Sequence, residues 1–302
     1  MHVPAAIHPT VYLDGAFIPA ERAAISPFDR GFLVADGIFE TLYAIRGVPI
    51  QLQRHLDRLA RAAEYLRLRG VPDAATLAAM LRRLLVENGI ADPATGAEAA
   101  LRLTISRGAE IGGPPTVVAF ARALTAGHLR KRSDGVLGFV LPYSRTASGH
   151  ELAQHKTLAY LASSLGQVLL AQLTPDPRAE GFFVDEAGDL LEGSSSNLFL
   201  VEGGRLVTPP ISVGILPGTS RAEVIALAAG AGFEVRQEPI SRERLLAADE
   251  AFITSSTLRV APLVSLDGAV VGRGRRGPAV VRLQAAFQAE IDAEVARWYA
   301  AD

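Results

Sequence analysis

A two-domain α/β fold of mixed helices and strands is predicted from three features of the sequence. The chain has 302 residues, more than a single ordinary core requires. Apolar residues recur with helical period in some segments and with strand character in others, and the two kinds are interleaved along the whole length. A polar, basic, Gly-bounded stretch at 123–135 (Ala123 to Gly135) has the composition of an interdomain linker. It divides the chain into a smaller N-terminal α/β domain (1–122) and a larger C-terminal domain (136–302).

The elements follow in order. Val11-Tyr12-Leu13, Asp14-Gly15 and Ala16-Phe17-Ile18 form a hairpin with a two-residue turn. Residues 38–45 and 48–52 make a second strand pair around Arg46-Gly47. From 52 to 68 the apolar positions Leu52, Leu56, Leu59, Ala63 and Leu66 fall on one helical face. A second helix over 74–87 stops at Asn88-Gly89. Residues 101–106 and 117–121 are strands. Beyond the linker, strand 136–141 precedes a helix over 157–173 and short strands at 181–184, 189–191, 197–201 and 205–207. Helix 219–230, strands at 233–238, 250–254 and near 263–266, and a helix over 278–299 complete the chain.

Composition excludes several function classes. The formal net charge of −2 lacks the basic surplus that nucleic-acid binding needs. No apolar run reaches membrane-spanning length and no basic-then-apolar leader opens the chain, so neither membrane insertion nor secretion is expected, and a cytoplasmic location is. The absence of cysteine removes disulfides, thiolate metal sites and Cys nucleophiles. His150, Glu151 and His155 lack the H-E-x-x-H spacing, and no metal site is expected. Gly272 to Gly277 satisfies G-x-G-x-x-G, but Pro278 and three arginines make it a surface loop, not a dinucleotide turn.

Of 30 Lys and Arg residues, only Lys131 and Lys156 are lysines. A chain biased this far towards Arg retains lysine where guanidinium cannot substitute, above all where a nucleophilic amine is needed. Lys131 lies in what reads as a solvated loop. Lys156 precedes the apolar run Thr157 to Leu161, and is either that amine or a surface lysine at a helix start.

Separated segments match the needs of pyridoxal 5'-phosphate, which takes a lysine amine, a carboxylate for its pyridine nitrogen and a cradle for its phosphate. Lys156 is the amine candidate. Glu192, in Leu191-Glu192-Gly193-Ser194-Ser195-Ser196-Asn197, is the carboxylate candidate. Leu216-Pro217-Gly218-Thr219-Ser220-Arg221 opens a helix with free N–H groups and two hydroxyls. Thr254 to Thr257 adds a hydroxyl cluster, and Arg58 lies on helix 52–68. Each segment alone also reads as a polar turn, an ordinary helix cap or a solvated helix face.

Together these motifs resemble the class IV aminotransferases, the fold type IV family of D-amino acid transaminase, branched-chain aminotransferase and aminodeoxychorismate lyase. The matching stretches, in family order, are Asp29-Arg30-Gly31, Asp36 to Glu40, His55 to Leu59, Ile105 to Gly108, His155 to Leu158, Glu192 to Phe199, Leu216 to Arg221 and Phe252 to Pro262. The resemblance implies a two-domain D-amino acid aminotransferase-like fold with the cofactor between the domains, normally a homodimer whose sites borrow a loop from the partner. It implies that Lys156 is the Schiff-base lysine and general acid/base, that Glu192 faces the pyridine nitrogen, and that Arg58, Thr219, Ser220 and Ser256 bind the phosphate.

The branch within the family is expected from departures. Ala109 to Pro115 replaces the carboxylate trap usual in D-amino acid transaminases, and Phe39 stands where they carry Tyr. Ile38-Phe39-Glu40-Thr41-Leu42-Tyr43 differs from the branched-chain pattern, and the Arg-Gly-Tyr motif of many lyases is missing. Segment 26–60 and Ser194 to Ser196 lean towards the D-amino acid and lyase branch, and the first expectation is transfer between an amino donor, a D-amino acid or (R)-amine, and a 2-oxo acid. A branched-chain L-amino acid aminotransferase, an aminodeoxychorismate lyase and a non-catalytic paralogue are the alternatives. Arg107, Arg145 and Arg259 are candidates for the substrate carboxylate, each otherwise an ordinary surface arginine.

Overall fold

The computed structural model describes residues 3–144 and 151–300. Two compact units result: Met1–Thr125 with His155–Ala159 and Ala293–Asp302, and Ala126–Gln154 with Tyr160–Asp292.

The first unit is an antiparallel sheet under two helices. Its strands are β1 (Ile7–Leu13), β2 (Ala16–Pro19), β3 (Gly37–Ile45), β4 (Val48–Pro49), β5 (Glu98–Ser106) and β6 (Thr116–Ala123), in the order β2-β1-β6-β5-β3-β4. Both hairpin turns put their residues at positive φ, Asp14 and Gly15 in one and Arg46 and Gly47 in the other, as a twist-matched two-residue turn requires. A short helix α1 (Arg30–Val34), which the sequence reading missed, is capped by Asp29. Helices α2 (Leu52–Tyr65) and α3 (Ala74–Glu87) cover one sheet face. Ile38, Leu42, Leu101, Leu103 and Ile105 alternate onto that face and join Leu56, Leu59, Leu81 and Leu84 in one core.

The second unit begins with α4 (Ala126–Asp134) and β7 (Val136–Val140). It continues through α5 (Leu161–Leu173), β8 (Ala179–Val184), β9 (Leu190–Gly193), β10 (Asn197–Glu202), β11 (Arg205–Thr208), α6 (Thr219–Ala228) and β12 (Glu234–Gln237). Next come α7 (Arg242–Ala247), β13 (Glu250–Ser255), β14 (Arg259–Leu266), β15 (Ala269–Val270) and α8 (Pro278–Ala300). The strand order is β12-β11-β10-β13-β14-β7-β8-β9, with β15 on β14, and β9 returns to β10 through the pair Asn197↔Glu192. Six of the strands therefore close into a ring. Leu198, Leu200, Ile253, Ala261, Leu263, Val136 and Phe182 are among the residues of its core.

Three expectations change. The stretch 123–135 is the end of β6 followed by α4; the chain first passes from one unit to the other between Thr125 and Ala126, and 155–159 and 293–302, read as part of a continuous second domain, belong to the first unit. Lys131, read as a loop residue, is on that helix and donates to Ala179 O (2.8 Å) and Glu180 Oε2 (3.0 Å). Residues 157–160 are not helical, because Thr157 pairs with Ile38 of β3, and α5 starts only at Leu161. No helix among the described residues is long and apolar enough to cross a membrane.

Candidate functional site

In the first unit the site residues are organised by the free edge of β3. Strand β4 pairs only with Ala44 and Ile45, which leaves the first residues of β3 open on that side. His155 to Leu158 fills it: Phe39 N donates to Lys156 O (2.9 Å) and Leu158 N donates to Gly37 O (2.9 Å). Lys156 is thus fixed by backbone bonds on a strand edge. Its Nζ lies 4.5 Å from the centroid of the buried Phe39 ring. The His155 ring stacks on Tyr65 with centroids 4.1 Å apart.

Arg102, which sequence reasoning missed, reaches the same ring. On β5 it stands opposite Thr41, one strand repeat from Phe39, and its Cζ is 3.3 Å from the Phe39 centroid. Its Nε donates to Thr104 Oγ1 (3.1 Å), a neutral acceptor. The signal available in the sequence was a lone Arg at an alternating position of the apolar strand 101–106.

Arg58 is buried, not on a solvated helix face. It forms a two-point pair with Glu40, Nε to Oε1 at 2.7 Å and NH2 to Oε2 at 2.6 Å. His55 Nδ1 lies 2.7 Å from Glu40 Oε2. Burial alone would raise the Glu40 carboxyl, but Arg58 and His55 outweigh it and hold it well below the ordinary carboxylate range. Burial pushes His55 below the ordinary imidazole range, against the pull of Glu40. The Glu40 contribution to stability is therefore present at neutral pH and is lost only as acid protonates the carboxylate.

Arg107 is committed elsewhere. It donates to Asp36 Oδ2 (2.8 Å) and to the carbonyls of Leu66 (2.9 Å) and Arg67 (3.1 Å), tying β5 to the end of α2. Arg145 lies outside the described residues.

In the second unit, Glu192 is buried at the end of β9. Its Oε2 accepts from Asn197 Nδ2 (3.0 Å) and Leu216 N (3.1 Å), and Asn197 also donates to Leu216 O (2.9 Å). Gly218 is required at the turn, since a Cβ there would stand 2.0 Å from Asn197 Oδ1. The triple-serine turn is held from below by Glu180, whose Oε1 accepts from Ser194 Oγ (3.1 Å), Ser195 N (3.2 Å) and Ser195 Oγ (3.2 Å).

Thr219 and Ser220 open α6, whose N-cap Gly218 supplies no side-chain acceptor. Ser220 Oγ is buried without a hydrogen-bond partner among the described residues. Arg221, the next residue, is buried and donates to Pro209 O (3.0 Å) and Gln237 Oε1 (3.0 Å). Burial pushes its guanidinium down to about 10, against the opposing pull of Glu192, so it stays cationic at neutral pH. Ser256 is in the turn from β13 to β14, where Arg132 donates to Thr257 O through Nε (3.0 Å) and NH2 (2.6 Å). Arg259 bonds Gln288 Oε1.

These residues fit pyridoxal phosphate. A buried hydroxyl lacking an acceptor, at a helix start with no side-chain cap, suits a phosphate oxygen. A buried, doubly anchored carboxylate suits a protonated pyridine nitrogen. Of the two lysines, Lys131 bonds Glu180 (3.0 Å), and the amine of Lys156, on the edge of β3, suits the cofactor carbonyl.

Residues 37–266 match the family described as amino-transferase class IV. The chain is 32% identical to the aminodeoxychorismate lyase of Bacillus subtilis, over 93% of this chain and 94% of that protein. It is 26% identical to the D-alanine aminotransferase of Bacillus licheniformis, over 95% and 99%. The crystal structure of the Escherichia coli branched-chain amino acid aminotransferase superposes with a TM-score of 0.84 at 27% identity, covering 93% of this chain and 94% of that one. With this fold and these motifs, the chain belongs to the class IV aminotransferases and is a pyridoxal-phosphate-dependent enzyme of fold type IV.

Proposed function

We propose that the enzyme exchanges an amino group between an α-amino acid and a 2-oxo acid, with Arg102 holding the substrate carboxylate. The observation that carries this reading is the shared Phe39 ring, with the Lys156 amine on it at 4.5 Å and the Arg102 guanidinium at 3.3 Å. An amino acid presents a carboxylate one carbon away from the proton to be moved, and a cation against the same ring as the proton-moving amine would orient it. Arg107 is engaged with Asp36 and two carbonyls, and Arg259 with Gln288, so neither offers a comparable arrangement.

Bound pyridoxal phosphate supplies the ring that stabilises negative charge at Cα. Lys156 Nζ takes the Cα proton and gives it back on the far side of the exchange. Glu192 keeps the cofactor nitrogen protonated. Thr219, Ser220 and Ser256 would hold the phosphate, and the family resemblance adds Arg58.

Arg102→Gln is expected to lower kcat/KM for amino-acid donors by about tenfold to a hundredfold, the weight of a charge-assisted hydrogen bond. Turnover of an (R)-amine donor, which has no carboxylate, should change far less in the donor half-reaction. Equal losses with both donors would mean that Arg102 only braces Phe39.

For the donor, the D-amino acid reading rests on segment 26–60 and the triple-serine turn, which lean equally towards the lyase. The likeness to the E. coli branched-chain enzyme supports an L-branched-chain donor as the second reading. Rates with D-alanine and L-leucine, each against 2-oxoglutarate and pyruvate, separate the two. Pyruvate release from aminodeoxychorismate without an added 2-oxo acid would assign lyase action instead.

The chain also suits a homodimer. Phe28, Phe32, Leu33 and Val34 are all more than half exposed, beside a cavity of 370 Å³ lined by Pro27, Phe32, Val118 and Leu158. A solution mass of 31.9 kDa would exclude a dimer.

Phosphate affinity tests Arg58. Arg58→Ala is expected to raise the Kd for pyridoxal phosphate more than Thr219→Ala does, because the latter keeps the α6 N–H groups and dipole. It should also cost about 3–5 kcal/mol of stability, since Glu40 is left buried without its guanidinium partner. Pairing Glu40→Leu with Arg58→Met removes both charges and is expected to restore stability but not cofactor affinity. Recovery of affinity in the double variant would show that Arg58 serves the fold alone.

A further inference from the structure

Helix α4, in the stretch with a linker's composition, bears on two turns of the candidate site in the second unit. Lys131 and Arg132 are consecutive residues of this helix, and each reaches a different turn. Lys131 Nζ donates to Ala179 O (2.8 Å) and to Oε2 of the buried Glu180 (3.0 Å). The other carboxylate oxygen, Oε1, faces the turn between Glu192 and Asn197. It accepts there from Ser194 Oγ (3.1 Å), Ser195 N (3.2 Å), Ser195 Oγ (3.2 Å) and Ser196 Oγ (3.4 Å). A Cβ on Gly193 would stand 3.1 Å from the same oxygen, so the turn rests directly on the carboxylate. Arg132 points to the turn between β13 and β14, where Nε (3.0 Å) and NH2 (2.6 Å) donate to Thr257 O, one residue from Ser256.

The kind of cation matters at each position. Lys131 is one of only two lysines in a chain that otherwise uses arginine. An ammonium is a compact donor that serves a carbonyl and one carboxylate oxygen from a single point. A guanidinium fork at 131 would seek both oxygens of Glu180 and compete with the serine turn for Oε1. Lysine therefore lets Glu180 divide its two oxygens between α4 and the turn. Arg132 is the opposite case, since two N–H groups of its fork converge on one carbonyl. The helix itself packs on β14, the strand that leaves the second turn.

We infer that α4 is a positioning element for the reaction: Lys131, through Glu180, sets the serine turn that links Glu192 to Asn197, and Arg132 sets the turn that presents Ser256. The inference rests on the reading of Glu192 as the partner of the cofactor nitrogen and of Ser256 as a phosphate donor. The two residues act through different groups, so they carry different consequences: the Lys131 route bears on kcat, and the Arg132 route bears on cofactor affinity.

The test compares two paired variants as holoenzymes. Lys131→Met with Glu180→Leu removes both buried charges and every acceptor under the turn. Lys131→Met with Glu180→Gln removes both charges but keeps an amide oxygen for the serines. The bonds from Ser194 N to Gly181 O (2.7 Å) and from Gly193 N to Ser196 O (2.8 Å) need neither side chain, so both variants are expected to fold. The Gln pair should stay within about threefold of wild-type kcat, and the Leu pair should fall about tenfold or more below it, part of the loss expected at Glu192 itself. Equal kcat in the two pairs overturns the inference. Should the Leu pair fail to fold, the combined change Ser194→Ala, Ser195→Ala and Ser196→Ala strips the hydroxyl donors and leaves the ion pair intact. It is expected to lower kcat in the same way, and a wild-type kcat there overturns the inference. Arg132→Met should raise the Kd for pyridoxal phosphate about tenfold with kcat at saturating cofactor little changed, and Arg132→Lys should recover part of the affinity. An unchanged Kd in Arg132→Met overturns that half. Glu192→Gln and Ser256→Ala are measured alongside. If these two fall as expected while the α4 variants do not, the inference alone fails; if they match wild type, the reading beneath it fails as well.

Discussion

Lys156→Ala is expected to abolish turnover, with a fall of about 10⁴ or more, the upper range for a lost general acid/base even before the lost covalent attachment is counted. The variant should fold normally. The bonds that place this segment on β3 are made by the Lys156 carbonyl and the Leu158 amide, and neither needs the side chain. The visible absorbance of the attached cofactor should vanish with the activity. Borohydride treatment of the wild type should fix the cofactor on Lys156. Labelling of Lys131 would overturn the assignment, although its ammonium is 3.0 Å from Glu180 and its side chain is only 13% exposed.

The second large effect is expected at Glu192. Glu192→Gln should lower kcat by about 10²–10³, the scale seen when one preorganised electrostatic partner of a reacting group is removed. The substitution isolates charge from shape. An amide oxygen at the Oε2 position can still accept from Asn197 Nδ2 and Leu216 N, so the turn into α6 stays as it is. Cofactor affinity and thermal midpoint should therefore change little while kcat falls. An unchanged kcat would reduce Glu192 to a residue that shapes the turn.

Much of the fold was legible because its signals are local. The spacing of Leu52, Leu56 and Leu59 gave α2, and the pairs Asp14-Gly15 and Arg46-Gly47 gave the hairpins. What failed depends on distant partners. The polar run after Ala126 forms α4, which packs on β14, a strand more than a hundred residues away. Residues 157–160 have helical composition, yet they go to the open edge of β3, and nothing near them in sequence announces that edge. The motif order pointed to Lys156, Glu192 and the α6 start. Arg102 and Glu40 were harder to read. Each is a charged residue on an apolar strand, and its meaning comes only from what stands across the sheet or on the helix above. Arg107, a substrate candidate that also read as an ordinary arginine, bonds Asp36 and the carbonyl of Leu66 just past α2.

The scarcity of lysine has a practical consequence for mapping the protein. A lysine-specific protease can cut the unfolded chain at only two places, yielding fragments 1–131, 132–156 and 157–302. Once the amine of Lys156 carries a reduced cofactor, that cut is blocked, and the middle and last fragments remain joined as 132–302. The fraction of chains loaded with cofactor thus becomes a ratio of two polypeptides on a gel. It can be read without a spectrophotometer, a substrate or any knowledge of the donor.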